Sequence, residues 1–135
     1  MRKILFRGRC VGEDHIYEWV DGYYVCLRDS YKKRETHRIY TGYAESDCGD
    51  FYGDWYEVDP KTVGQFTGLY DKNGERIFEG DILKFSSISQ YPVFWDSDYQ
   101  AFGSRYYKDF DYLTSYDMRK IEVVGNIHDN PELME

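Results

Sequence analysis

The chain of 135 residues is poor in the residues that usually carry recognisable chemistry: it has three cysteines, three histidines and three prolines. It also has no long apolar run, and without about 20 consecutive apolar residues no helix can cross a bilayer, so no membrane-spanning helix and no membrane partner are expected. Cys10, Cys26 and Cys48 are odd in number and widely spaced. They offer neither a disulfide framework nor a C-x-x-C pair, and reduced cytoplasmic thiols are the reading that follows. Cys26 lies in the apolar run Val25-Cys26-Leu27, which predicts a buried packing role. His15, His37 and His128 stand at no metal-ligand spacing with one another or with the cysteines. No G-x-S-x-G, P-loop or G-x-G-x-x-G occurs. Residues 1–10 hold four basic residues and no apolar core, so no secretory signal is expected. No catalytic, cofactor-binding or metal-binding residue is assigned from sequence.

Aromatic residues, in contrast, are abundant, with 15 Tyr, 8 Phe and 3 Trp. Such a count argues against a disordered chain, because disorder goes with too little apolar surface to offset the entropy of ordering. It also exceeds what a small core readily encloses, since a domain of this size buries roughly two-thirds of its unfolded-chain surface. The tyrosine-rich stretch 99–116 is the natural place for rings left outside, and self-association is therefore expected. The net charge is −8, unevenly placed: residues 1–40 hold nine Lys+Arg and six Asp+Glu, a net of +3, and residues 41–135 hold eight and nineteen, a net of −11. The asymmetry favours contact between copies, and the acidic total opposes non-specific DNA binding, which depends on cations at phosphates.

The dominant hydrophobic period is two, the signature of strands. Residues 3–7, 16–20, 23–27, 38–41, 55–58, 65–70, 76–78, 82–85, 91–95 and 121–127 read as strands. Asp21-Gly22 between two apolar runs predicts a two-residue hairpin turn. Asp71-Lys72-Asn73-Gly74 and Glu79-Gly80-Asp81 read as turns. Asp59-Pro60 stops a strand and can open a single helical turn over residues 59–64, with Asp59 as its cap. Residues 86–89 are a candidate flexible loop, and residues 100–119 fit helical and strand spacing about equally.

Three ordered motifs carry a resemblance. The opening Arg2-Lys3-Ile4-Leu5-Phe6-Arg7-Gly8, the run from Thr62 to Gly74 continuing into Ile77-Phe78-Glu79-Gly80-Asp81-Ile82, and the end from Glu122 to Leu133 resemble the YopX-like family of bacteriophage and prophage proteins. Residues 28–54 and 86–119 match no motif of that family and fit variable insertions. The resemblance implies one domain over residues 1–135, mainly β, in a cytoplasmic protein encoded by a phage or an integrated element. It implies no catalytic residues. The Gly-Asp-Ile-Leu-Lys element between short strands is similar to SH3-like barrels, so a small, strongly bent barrel over residues 64–127 is expected. That is a statement about fold and not about function.

Two constellations compete with a plain interaction protein. Lys32, Lys33, Arg34 and Arg38, with Tyr31 and Tyr40 interleaved, could hold single-stranded nucleic acid through phosphate contacts and ring stacking. Asp47, Asp50, Asp54, Glu57 and Asp59 could serve a metal-dependent hydrolase, although such runs also serve as solvated loops. Asp71, Asn73 and Glu75 resemble part of a calcium loop, but Gly74 and Ile82 stand where that loop needs other residues, and a tight turn explains them. The expectation is a non-enzymatic accessory protein without a cofactor, whose partners are a second copy of itself and a host or phage protein. Nucleic-acid binding is the alternative.

Overall fold

The computed structural model describes residues 2–134 apart from Lys32, Tyr43, 46–50, Gly53 and Lys108, and it does not describe the side chains of residues 29, 44, 45, 51, 52, 106 and 107. The chain divides into two compact units, Lys3–Gln65 and Phe66–Glu135. Both are antiparallel β structure with short 3-10 turns, in keeping with the period of two. Among the described residues, no helix is long and apolar enough to cross a membrane.

The first unit contains β1 (Phe6–Arg9), β2 (Trp19–Asp29), β3 (Arg34–Tyr40), β4 (Ala44–Glu45), β5 (Phe51–Tyr52) and β6 (Trp55–Glu57). The strand order is β6-β3-β2-β1, and Gly64 and Gln65 pair on the far side of β1. The β4–β5 pair stands apart from that sheet. The expected turn at Asp21-Gly22 does not exist. Both residues lie inside β2, a continuous strand of 11 residues whose first part pairs with β1 (Gly22 opposite Phe6) and whose second part pairs with β3 (Tyr23 opposite Tyr40). Glycine is needed here for space. A Cβ at Gly22 would stand 2.1 Å from the Tyr40 carbonyl oxygen and 3.1 Å from Ile39 Cγ2. The real hairpin joins Asp29 to Arg34, and Lys33 in its turn takes φ +51°. The expected strand over residues 16–20 begins only at Trp19, because Tyr17 adopts φ +71° in the preceding loop.

After β6 the chain makes the expected turn. The Asp59 carboxylate accepts from Lys61 N–H at 3.0 Å and caps a 3-10 turn over Pro60–Thr62. The Thr62 hydroxyl donates to the Asp59 carbonyl at 2.6 Å and accepts from Arg9 N–H at 2.9 Å, which ties the turn to β1.

The second unit takes up most of β7 (Gly64–Tyr70), which spans the boundary, and adds β8 (Arg76–Phe78), β9 (Asp81–Ser86), β10 (Ser89–Pro92), β11 (Phe94–Asp96), β12 (Ala101–Tyr107), β13 (Asp109–Tyr112) and β14 (Glu122–Asn126). Its ladders are β7–β8, β10-β9-β14 and β11-β12-β13. They do not close into the expected barrel. A barrel needs unbroken pairing around its circumference, whereas here β10 and β14 are the edges of one open sheet and β11 and β13 those of another. Residues 86–89 form the tight end of the β9–β10 hairpin, with Ser86 opposite Ser89, and not an open loop. The ambiguous stretch 100–119 resolves mostly as strands.

The core of this unit is Ile77, Leu83, Val93, Leu113 and Ile121, with Phe85, Phe102 and Tyr116 packed against it. Asp71 anchors the β7–β8 turn, in which Gly74 takes φ +80°. Although it is only 7% exposed, its carboxylate is well served. One oxygen accepts from Asn73 and Glu75 N–H at 2.8 and 2.9 Å, and the other from Val123 N–H on β14 at 3.0 Å. Burial pushes its pKa up, but the three N–H donors and the charge of Lys72 outweigh burial and hold it below the ordinary carboxylate value. Asn126 plays a similar part at the end of β14. Its side-chain oxygen accepts from His128 and Asp129 N–H at 3.0 and 2.9 Å. Asn130 returns the contact by accepting from Asn126 N–H at 3.2 Å.

Two outcomes follow from these contacts. Gly22→Ala should destabilise by about 2 kcal/mol or more in urea unfolding, because the new methyl group must displace the β3 backbone; an unchanged midpoint would contradict the packing. Asp71→Asn should cost about 2 kcal/mol at pH 7, since an amide replaces a charged acceptor facing backbone donors. The folded-state pKa is depressed, so this stabilisation is present above the unfolded value of about 3.9 and disappears as the pH falls through the folded value. Urea unfolding at pH 7 and pH 3 should therefore show the difference between the two proteins narrowing at the lower pH.

Candidate functional site

The basic and aromatic residues singled out by sequence fall on the β2–β3 turn and on one face of β3. Tyr31 is 98% exposed in the β2–β3 turn beside the exposed Lys33, while Lys32 lies outside the described residues. Arg34, Arg38 and Tyr40 alternate along β3 and share one face. On that face the guanidinium of Arg38 lies 3.8 Å from the centroid of the Trp55 ring of β6 and donates to the Tyr40 hydroxyl at 3.5 Å. Arg34 faces Glu57 at 3.9 Å. Both cations thus have partners within the sheet.

The acidic run is dispersed. Asp47 and Asp50 lie outside the described residues. The Asp54 carbonyl accepts from Thr41 N–H, Glu57 faces Arg34, and Asp59 caps its turn. The Glu57 and Asp59 carboxylates thus have separate structural tasks, and Asp54 takes part through its backbone. The partial calcium-loop pattern is a turn, with both Asp71 oxygens committed to the backbone.

Cys26 overturns an expectation, because it is exposed and not buried. Its half of β2 extends beyond the residues that β1 covers, and β6 reaches only Arg38–Tyr40 of β3, so the hairpin arm has two strands and open sides. Directly across from Cys26 stands His37, with Glu35 next but one on the same face. Sequence spacing could not reveal this trio, since its neighbours are set by strand register. Cys48 lies outside the described residues.

The most developed surface feature is one that sequence located only as a tyrosine-rich stretch. On β11–β13, Phe94, Gly103 and Tyr112 form one row across three strands. Gly103 has no side chain, and Phe110 fills the space: a Cβ there would stand 2.3 Å from Phe110 Cε2. Tyr99 stacks on Phe110 with centroids 4.7 Å apart and planes 9° apart. Phe94 and Tyr112 meet the same ring edge-on at 5.8 and 5.2 Å. The β11–β12 turn holds Tyr99 in place, because the Asp96 carboxylate accepts from Asp98 and Tyr99 N–H at 2.9 and 3.0 Å. Tyr99 remains 55% exposed and Tyr112 44%. Arg105 lies over Phe94 at 5.2 Å, and with Pro92 these residues line a cavity of about 410 Å³.

The molecule is thus an antiparallel β protein with structurally committed motifs and an aromatic platform on one of its sheets. Residues 11–135 match the family described as YopX protein, and the chain belongs to the YopX family. It is also similar over its whole length to a solved structure, that of protein EF1440 from Enterococcus faecalis, with 25% identity, a TM-score of 0.65 and 100% of both chains covered. No curated protein sequence matches it.

Proposed function

We propose that this protein is a phage- or prophage-encoded accessory protein that acts in the cytoplasm by binding and not by catalysis, and that its contact surface is the aromatic platform of β11–β13. The observation that carries the reading is Tyr99. It is held by its own turn against Phe110 and still exposes 55% of its surface. A rigid ring that is apolar on its face and polar at its tip loses little entropy on docking, and such rings are enriched at interfaces. The family match runs through both compact units, which supports counting residues 1–135 as one family domain.

A second copy of the chain is the partner that charge favours. Asp96, Asp98, Asp109 and Asp111 accompany the platform in sequence, whereas residues 1–40 carry a net +3. The same aspartates disfavour the nucleic-acid alternative, because they repel phosphate where bases would stack. In sedimentation equilibrium at micromolar concentration and moderate salt, the apparent mass should rise above 16.2 kDa with concentration. Tyr99→Ser combined with Tyr112→Ser should return it to the monomer value, and added salt should weaken the wild-type association. A wild-type protein that stays at 16.2 kDa throughout would overturn self-association.

A further inference from the structure

We propose that Cys26, Glu35 and His37 form a zinc-binding site that clamps the exposed arm of the β2–β3 hairpin, with three protein ligands and a fourth position open to solvent. The proposal stands apart from the self-association reading, since it concerns a different surface and uses none of the platform residues.

The geometry is specific. Cys26 and His37 are directly paired across the two strands. One ligand atom each from Cys26, Glu35 and His37 fall within 4.8 Å of one another. The Glu35 carboxylate is 3.7 Å from His37 Nε2, close to the ~3.4 Å separation that tetrahedral angles and bonds of roughly 2.0–2.2 Å imply. Small side-chain rotations on an exposed arm suffice to close the set.

A second observation concerns the other ring nitrogen. His37 Nδ1 is 2.5 Å from the Tyr24 hydroxyl, and the two rings lie nearly parallel, 11° apart. Zinc-bound histidines usually hold the nitrogen that faces away from the metal in such a contact, which fixes the ring and its tautomer. With Nδ1–H donating to Tyr24, the lone pair of Nε2 points to the side where Glu35 stands. Partial desolvation pushes the Tyr24 pKa up, as do Cys26 and Glu35, so it stays a neutral phenol able to accept that bond.

The ligand chemistry selects the ion. A thiolate, a carboxylate and a neutral imidazole carry two negative charges and suit borderline-soft Zn²⁺. In the absence of metal, partial desolvation and the Glu35 carboxylate push the Cys26 thiol above its ordinary pKa. A divalent cation reverses that repulsion by binding both anions, and the thiol proton leaves to solvent when Sγ binds. Arg28, directly across from Glu35, opposes the cation and sets a limit on affinity.

The test uses the untagged full chain under reducing conditions. Titrated with Co²⁺, it should bind one equivalent and develop a thiolate-to-metal charge-transfer band, which Zn²⁺ should abolish by displacement. Cys26→Ser should remove the band, and His37→Gln should weaken zinc binding by about a hundredfold. Tyr24→Phe should keep the band with affinity reduced about tenfold, as expected for a residue that positions a ligand. A readout without variants is alkylation of the wild type, mapped by mass spectrometry, in which Zn²⁺ should slow modification of Cys26. The proposal is overturned if the wild type shows no such band, if zinc leaves Cys26 alkylation unchanged, or if Cys26→Ser binds zinc as tightly as the wild type.

Discussion

The first unit depends on one strand serving two neighbours in succession. β2 pairs with β1 over Trp19–Gly22 and with β3 from Tyr23 onward, so the sheet is continuous only if β3 can approach β2 at the point of exchange. Gly22 meets that condition, because any side chain would occupy the place of the Tyr40 carbonyl. An eleven-residue strand with a single-sided partner at its far end also produces the hairpin arm. The arm is why Cys26 and Tyr31 are exposed, and why Glu35 and His37 share a face with Cys26.

In the second unit, buried polar side chains do what strand pairing alone cannot. Asp71 satisfies three backbone donors from two separated segments. Asp81, 1% exposed, accepts from Phe78 N–H at 2.7 Å and secures the β8–β9 turn. Asn126 and Asn130 do the same past β14. A buried carboxylate without such donors would be costly, but with them it becomes a fixed joint. The sequence runs around Asp71, Asp81 and Asn126 therefore encode turns and joints.

The surfaces separate cleanly in character. Arginines of β3 pack against Trp55, Tyr40 and Glu57 within the sheet. The rings of β11–β13 and the turn at Tyr99 are organised against one another, yet Tyr99 and Tyr112 remain exposed. Stacked aromatics of this kind are rigid before any partner arrives, which lowers the ordering cost of association.

The alternation of apolar and polar residues was enough to establish β structure, and Asp59-Pro60 and the glycine-containing runs at Gly74 and Gly80 were enough for the cap and the turns, since each rests on chemistry within a few residues; the family was legible from ordered motifs spread along the chain. The bent barrel, the turn at Asp21-Gly22 and the burial of Cys26 differ from expectation for one common reason. Local signals describe which backbone angles a segment tolerates, and they are silent about which segment lies alongside. Gly22 looks the same in sequence whether it permits a positive φ or a close approach, and only the position of Tyr40 decides between them. Likewise, the register of β2 on β3, a long-range property, places His37 opposite Cys26, and the pairing of β12 with β13 turns a string of tyrosines and phenylalanines into a platform.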